Sequence, residues 1–131
     1  MKKILVAFVT CFLLGNLLAQ GTFVEDYWKT DYPKKSVETI YNDIRNTKVA
    51  HIEIKQISQR DYFELVRTLF HENNPSGKKL NILLVSKSQK KVMNLNLDLN
   101  NIPIANLIKI GCKTWNLQCK LEPELLEITE K

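Results

Sequence analysis

The sequence lacks most signatures of chemistry. It contains no G-x-G-x-x-G, no P-loop, no G-x-S-x-G and no H-E-x-x-H, which removes the usual dinucleotide, nucleotide, serine-hydrolase and zinc-protease readings. Histidine is scarce, with only His51 and His71 in 131 residues. Neither has a carboxylate at metal-ligand spacing, so both read as exposed or internally satisfied. The cysteines are Cys11, Cys112 and Cys119, and their spacing is not that of a zinc site, which needs ligand pairs two to four residues apart and a second pair elsewhere. A long apolar run is also missing. The greasiest stretch, Ile4 to Leu14, falls short of the roughly 20 residues that a membrane span needs. Nor is there a basic stripe of the kind expected in a nucleic-acid binder, because acids from Glu25 to Glu130 are interleaved with the lysines.

That short apolar run has its own meaning. Lys2 and Lys3 precede it and Leu17-Leu18-Ala19-Gln20-Gly21 follows, the layout of a secretory signal peptide with a charged start, an apolar middle and a small-residue exit. Residues 1–21 are therefore expected to be removed, after Ala19 or after Gly21. Cys11 sits inside the apolar run, which disfavours a lipoprotein anchor. Removal takes two lysines and no acid, lowering the formal charge from +5 to +3. About 110 residues remain, enough for one core without metals or staples. Cys112 and Cys119 then form an even pair in an exported protein, read either as two small buried apolar residues or as a disulfide.

Periodicity gives an α+β chain. Residues 22–48 are expected to hold an irregular lead, Thr22 to Pro33, followed by a short helix capped by Ser36 with Val37, Ile40, Tyr41 and Ile44 on its apolar face. Val49 to Ile57 alternates as a half-buried strand. Ser58 and Asp61 resemble a capping box, opening a helix with Phe63, Val66, Leu69 and Phe70 on its face, flanked by Tyr62 and Leu65. "ENNPSGKK" ends it. Leu80 to Val85 is apolar throughout, so it is expected as an interior strand covered on both faces. "NLNLDLNNIPIANLIKI" counts in twos, then in threes and fours. Met93, Leu95, Leu97 and Leu99 share a strand face, Pro103 suits a helix start, and Ile104, Leu107, Ile108, Gly111, Cys112 and Trp115 follow at helical spacing. Leu97 and Ile108 are expected to meet in the core. Asn116 is a left-handed terminator, Leu117, Cys119 and Leu121 alternate, and Leu126 to Ile128 closes the chain. The order is β-α-β-β-α-β-β after one extra helix: two strand-helix-strand units with helices packed on small mixed sheets.

The segment "VMNLNLDLNNIPIANLIKIGCKTWNLQCKLEPELLEIT" resembles the short N-terminal domain (STN-like) of secretins and TonB-dependent receptors. Leu97-Asp98-Leu99-Asn100-Asn101-Ile102-Pro103-Ile104 carries the Leu-x-x-x-x-Pro-Leu-like phrase. Leu107 and Ile108 supply the helix face, Asn116-Leu117 the turn that is usually Gly-Leu, and Glu122 to Ile128 the terminal hairpin. "IEIKQISQRDYFELVRTLF" is similar to the first half of the same domain, so the likeness covers about residues 49–129, within a domain expected at residues 49–131. Gly111 and Cys112 depart from it, standing where the family usually has a large apolar residue and a small one. A helix-interior glycine costs about 1 kcal/mol against alanine, partly offset if the helix approaches the sheet closely.

The resemblance implies a periplasmic module that docks other proteins, near inner-membrane components in secretins and relaying signals to a regulator in the receptors. No barrel occurs in the sequence up to Lys131, so pore or transport roles are not implied, and no catalytic residue or cofactor is inherited. The implied partner is another envelope protein: a secretin-like protein, a TonB-dependent receptor or an inner-membrane assembly component. Periplasmic location, association with the outer membrane, and neither nucleic acid nor a membrane span after signal removal complete the expectation. Strand addition at a free sheet edge would serve such docking. A second reading is an envelope polyanion binder using Lys78, Lys79, Lys87, Lys90 and Lys91, in the two loops flanking one strand; the bland reading of those lysines is solubility and edge protection. A small secreted hydrolase is the third, left open by composition alone. Intact-mass measurement on protein recovered from the envelope is expected to find an N-terminus at Gln20 or Thr22; a chain beginning at Met1 would contradict the signal assignment.

Overall fold

The structure is a computed structural model that describes residues 27–131; the expected signal peptide, Cys11 and the lead as far as Asp26 lie outside the described residues. Its elements are α1 (Lys34–Asn46), β1 (Lys48–Ser58), α2 (Gln59–Asn73), β2 (Ile82–Val85), β3 (Val92–Pro103), α3 (Ile104–Thr114), β4 (Leu117–Glu122) and β5 (Leu125–Glu130). The chain is α+β, in the expected order. Its strands form two small sheets, β1-β3 and β2-β5-β4. The strands that feed the helices, β1 and β3, pair with each other antiparallel, while β2 runs parallel to β5 and β4 antiparallel to it. The two strand-helix-strand units therefore interlock, each contributing to both sheets, instead of closing on themselves.

The short joints are set by backbone accounting. A helix start leaves unpaired amides. At α2 the Ser58 hydroxyl accepts from the Asp61 amide at 3.1 Å, and the Gln59 and Arg60 amides donate to Lys91 and Gln89 carbonyls in the turn before β3. At α3, Pro103 has no amide to satisfy, and the Ile104 amide donates to the Thr47 carbonyl at 2.9 Å. Thr47, only 2% exposed, also donates its amide to Asp43 and accepts from the Asn74 side chain at 3.1 Å. It thus ties the end of α1, the start of α3 and the loop after α2 together.

The core takes Val37, Ile40, Tyr41 and Ile44 from α1, Tyr62, Phe63, Val66 and Phe70 from α2, and Ile104, Leu107, Ile108 and Cys112 from α3. Trp28 belongs to the same cluster, so the boundary expected at residue 48 is not a packing boundary. The lead is docked: the Leu121 amide donates to the Lys29 carbonyl, the Thr30 hydroxyl donates to the Leu121 carbonyl, and Lys29 bridges Lys120 alongside β4.

Several local expectations are corrected. Helix α1 begins at Lys34, and Ser36 lies in its first turn with its hydroxyl donating to the Pro33 carbonyl at 2.7 Å, so it does not cap. Segment 80–85 is not an interior strand. Only Ile82–Val85 is strand, at the edge of its sheet, with Leu83 and Val85 facing out at 45% and 52% exposure. An unbroken apolar run does not reveal which of its faces is covered. The apolar row Met93, Leu95, Leu97 and Leu99 is half-buried, because a two-stranded ribbon covers less of each side chain than a full sheet. Two β3 residues, Leu95 and Asn96, oppose Lys55 in a bulge where Asn96 takes a φ of +49°. Asparagine tolerates that left-handed region better than most residues, and Asn116, at a φ of +57°, ends α3 as expected.

Helices α2 and α3 meet at Gly111. A Cβ there would lie 2.5 Å from Tyr62 Cε2 and 2.9 Å from Phe63 Cζ, so the close approach is to another helix rather than to a sheet. The Tyr62 hydroxyl donates to the Leu107 carbonyl at 2.5 Å, fixing the ring that occupies this space. Gly111→Ala is expected to destabilise the protein by about 1–3 kcal/mol through overpacking, despite the helix propensity gained. Tyr62→Phe, which removes one hydrogen bond, should cost only about 0.5–1.5 kcal/mol. Urea denaturation checks both, and a neutral Gly111→Ala would show that the helices have room to part.

Candidate functional site

The histidines, cysteines and paired carboxylates are scattered. His51, on β1, faces Asn100 Oδ1 at 2.7 Å and Asp98 Oδ1 at 3.5 Å on β3, in a half-exposed setting. His71, at the end of α2, faces the Lys78 carbonyl at 3.2 Å. The two imidazoles thus sit on different elements with separate partners. Glu122 ends β4, and Glu124 lies in the turn to β5. Among the described residues no three His, Cys, Asp or Glu side chains gather as metal ligands do, and no helix is long and apolar enough to cross a membrane.

Cys112 and Cys119 are both buried free thiols, one on α3 and one on β4, so the bridge left open by the sequence is not formed here. Burial pushes the Cys112 thiol up to about 11, with the Tyr27 hydroxyl and Lys131 offsetting part of the effect. Burial also raises Cys119, and the neighbouring Cys112 adds to it. Tyr27 is raised by burial and then by Cys112, although its hydroxyl meets the thiol short of good hydrogen-bond geometry. A nucleophile or metal ligand has to be thiolate, and this environment holds both sulfurs protonated. They serve as apolar filling.

The five lysines named from the sequence do not form one patch. Lys78 and Lys79 precede β2, and Lys87, Lys90 and Lys91 follow it. The four-residue strand between them spans ~13 Å at ~3.3 Å per residue. The Lys78 ammonium is held by Asp43 at 3.0 Å. Both residues line an open groove of about 550 Å³ beside α1, together with Ile40, Phe70 and Leu80. What lies between the two lysine groups is the outer edge of β2.

That edge is the most distinctive surface of the fold. In a parallel pair, alternate residues turn both backbone groups to the same neighbour. The Leu126 amide donates to the Asn81 carbonyl, so positions 81, 83 and 85 face β5, while Ile82 and Leu84 face away from it. The Gln89 side chain donates to the Leu84 carbonyl at 3.1 Å. The Ile82 amide and carbonyl and the Leu84 amide have no partner among the described residues. The opposite edge of the sheet, on β4, is met by Lys29 and Thr30 of the chain itself. The lysine loops are legible in the sequence but this edge is not, because strand pairing is a long-range property and Leu83 and Val85 are as apolar as Ile82 and Leu84.

The buried thiols make stability depend on pH. Cys112 ionises near its ordinary 9.0 when unfolded and near 11 when folded, so the stability is fully present below about pH 9 and is lost as pH rises through 11. The expected loss for this group is on the order of 2 kcal/mol by pH 11. Urea midpoints at pH 8 and pH 11 measure it, with Cys112→Ala losing less over that interval, and both thiols should alkylate only after unfolding. Comparison of the chain with protein-family models, curated proteins and solved structures finds no match.

Proposed function

We propose that this chain is an exported, non-catalytic protein–protein interaction module of the cell envelope, acting in the periplasm and docking an envelope protein by strand addition at β2. The observation that carries this reading is the asymmetry of the three-stranded sheet. One edge is met at Leu121 by the chain's own lead, while the other keeps backbone groups unpaired beside exposed Leu83 and Val85. Natural proteins usually blunt such an edge, and an edge left available suits recognition by main-chain hydrogen bonds with side chains adding selectivity.

Two further features support the reading. The signal-like opening of the sequence supports export. The succession β-α-β-β-α-β-β from Lys48 to Glu130 is compatible with the likeness to the docking domain of secretins and TonB-dependent receptors, whose partners are envelope proteins.

A photo-crosslinking residue at Val85, introduced in cells, is expected to give a discrete adduct with one envelope protein. The same residue at Glu53, on the outer face of the β1-β3 ribbon, should not. The double substitution Leu83→Glu with Val85→Glu changes only outward-facing side chains and should abolish the adduct from a crosslinker placed at the neighbouring Ser86 while leaving the circular dichroism spectrum unchanged. Absence of an adduct from Val85, or equal adducts from both faces, would refute the docking role.

A further inference from the structure

We infer that the β2 edge selects an extended protein segment with an alternating apolar centre and carboxylates at both ends. This rests on β2 being the docking edge, and it adds the chemistry of the partner.

The centre follows from the backbone. Ile82 offers an amide and a carbonyl to the open side and Leu84 an amide, while the Leu84 carbonyl is taken by Gln89. An added strand is therefore held by a few hydrogen bonds around Ile82 and Leu84 and is blocked from running further by the Gln89 side chain. Leu83 and Val85 project from one face of this short stretch, so a partner gains by placing apolar or β-branched residues at alternate positions beside them.

The ends follow from charge. Lys79 lies before the strand and Lys87, Lys90 and Lys91 after it, all exposed. Acids also lie near this strip. Asp43 holds Lys78 at 3.0 Å. Glu130 accepts the Lys87 amide at 3.0 Å and the Ser86 hydroxyl at 3.3 Å. Glu127 stands beside Leu83 in the β2–β5 register, and Glu124 lines the groove that Lys79 shares. No ion pair is seen to the side chains of Lys79, Lys87, Lys90 or Lys91 among the described residues. The strip beside β2 thus carries lysines without an ion-pair partner at both ends, three of the four beyond Val85, and is apolar in the middle. The strand between the lysine groups spans only ~13 Å, so partner carboxylates just beyond a centre of about four to six residues would lie near Lys79 and Lys87.

The same arrangement argues against a second copy as occupant. Antiparallel pairing of β2 with another β2 would set Lys79 of one chain beside Lys87 of the other at both ends, and like charges across a strand pair are destabilising. A bare polyanion would use the lysines but leave Leu83, Val85 and the free amides without a role.

The test uses the purified protein and fluorescein-labelled synthetic peptides. The first has a six-residue Val-Thr alternating centre with two glutamates at each end; the second has the same centre with lysine ends; the third has glutamate ends around a Gly-Ser centre. A fourth repeats the first with N-methyl groups on alternate residues. Expected results are binding of the first at least tenfold tighter than the others and slowed hydrogen exchange at the Ile82 and Leu84 amides. Binding should weaken at least fivefold in Lys87→Glu with Lys90→Glu, and weaken with added salt. Equal binding of the first two peptides, with exchange slowed at Ile82 and Leu84, would overturn the charge selection and leave the docking edge standing. Equal binding of the first and third would replace the segment with a polyanion. Exchange slowed elsewhere would overturn the edge itself, and self-association protecting Ile82 and Leu84 without peptide would make a second copy the occupant.

Discussion

The ring of Tyr62 lies where a side chain at position 111 would otherwise stand, and the rest of the fold is arranged around that close approach. Its hydroxyl donates to the Leu107 carbonyl one helical turn before Gly111, so the ring is held at both ends: by its own helix and by the backbone of α3. Tyr62, Phe63 and Trp115 then pack edge-on or tilted at 5.3–6.4 Å between centroids, geometries that favour aromatic rings. Because β1 runs into α2 and β3 runs into α3 without a linker, the separation of the two helices also governs whether the feeding strands can pair. A bulkier residue at 111 would strain the ribbon as well as the helix contact.

This coupling explains which parts of the fold were legible in the sequence. The buried face of α1 is the one its spacing indicates, Val37, Ile40, Tyr41 and Ile44, because helical period and burial are local. The alternation in β3, the Ser58 cap and the left-handed Asn116 are local too. Strand partnership is not. The apolar run at 80–85 looks fully interior because Leu83 and Val85 are as greasy as Ile82 and Leu84, and only the packing of one sheet face toward the helices decides which pair is covered. The same holds for Thr47 and Asn74, ordinary polar residues in sequence. Their importance comes from three chain segments converging on one buried hydroxyl and one buried amide, where leaving either unpaired would cost about 1–3 kcal/mol.

The candidate site was legible in its charges but not in its geometry. The lysines on either side of β2 are plain in the sequence, yet their meaning depends on what lies between them. With an interior strand between them they would be two unrelated loops; with an open edge they become the two ends of one strip. The potentially reactive groups resolve in the opposite direction. Cys112 and Cys119 sit so deep in apolar surroundings that they remain protonated, and each histidine finds a neighbour of its own. Shape and charge at an edge, more than reactivity in a pocket, distinguish this surface.

The docked lead carries a last consequence. Lys29 and Thr30 lie against β4, so the three-stranded sheet has a stopper on one side and a vacancy on the other. A sheet with vacancies on both sides is a template for endless polymer growth; the lead against Leu121 breaks that symmetry and leaves β2 as the more open flank.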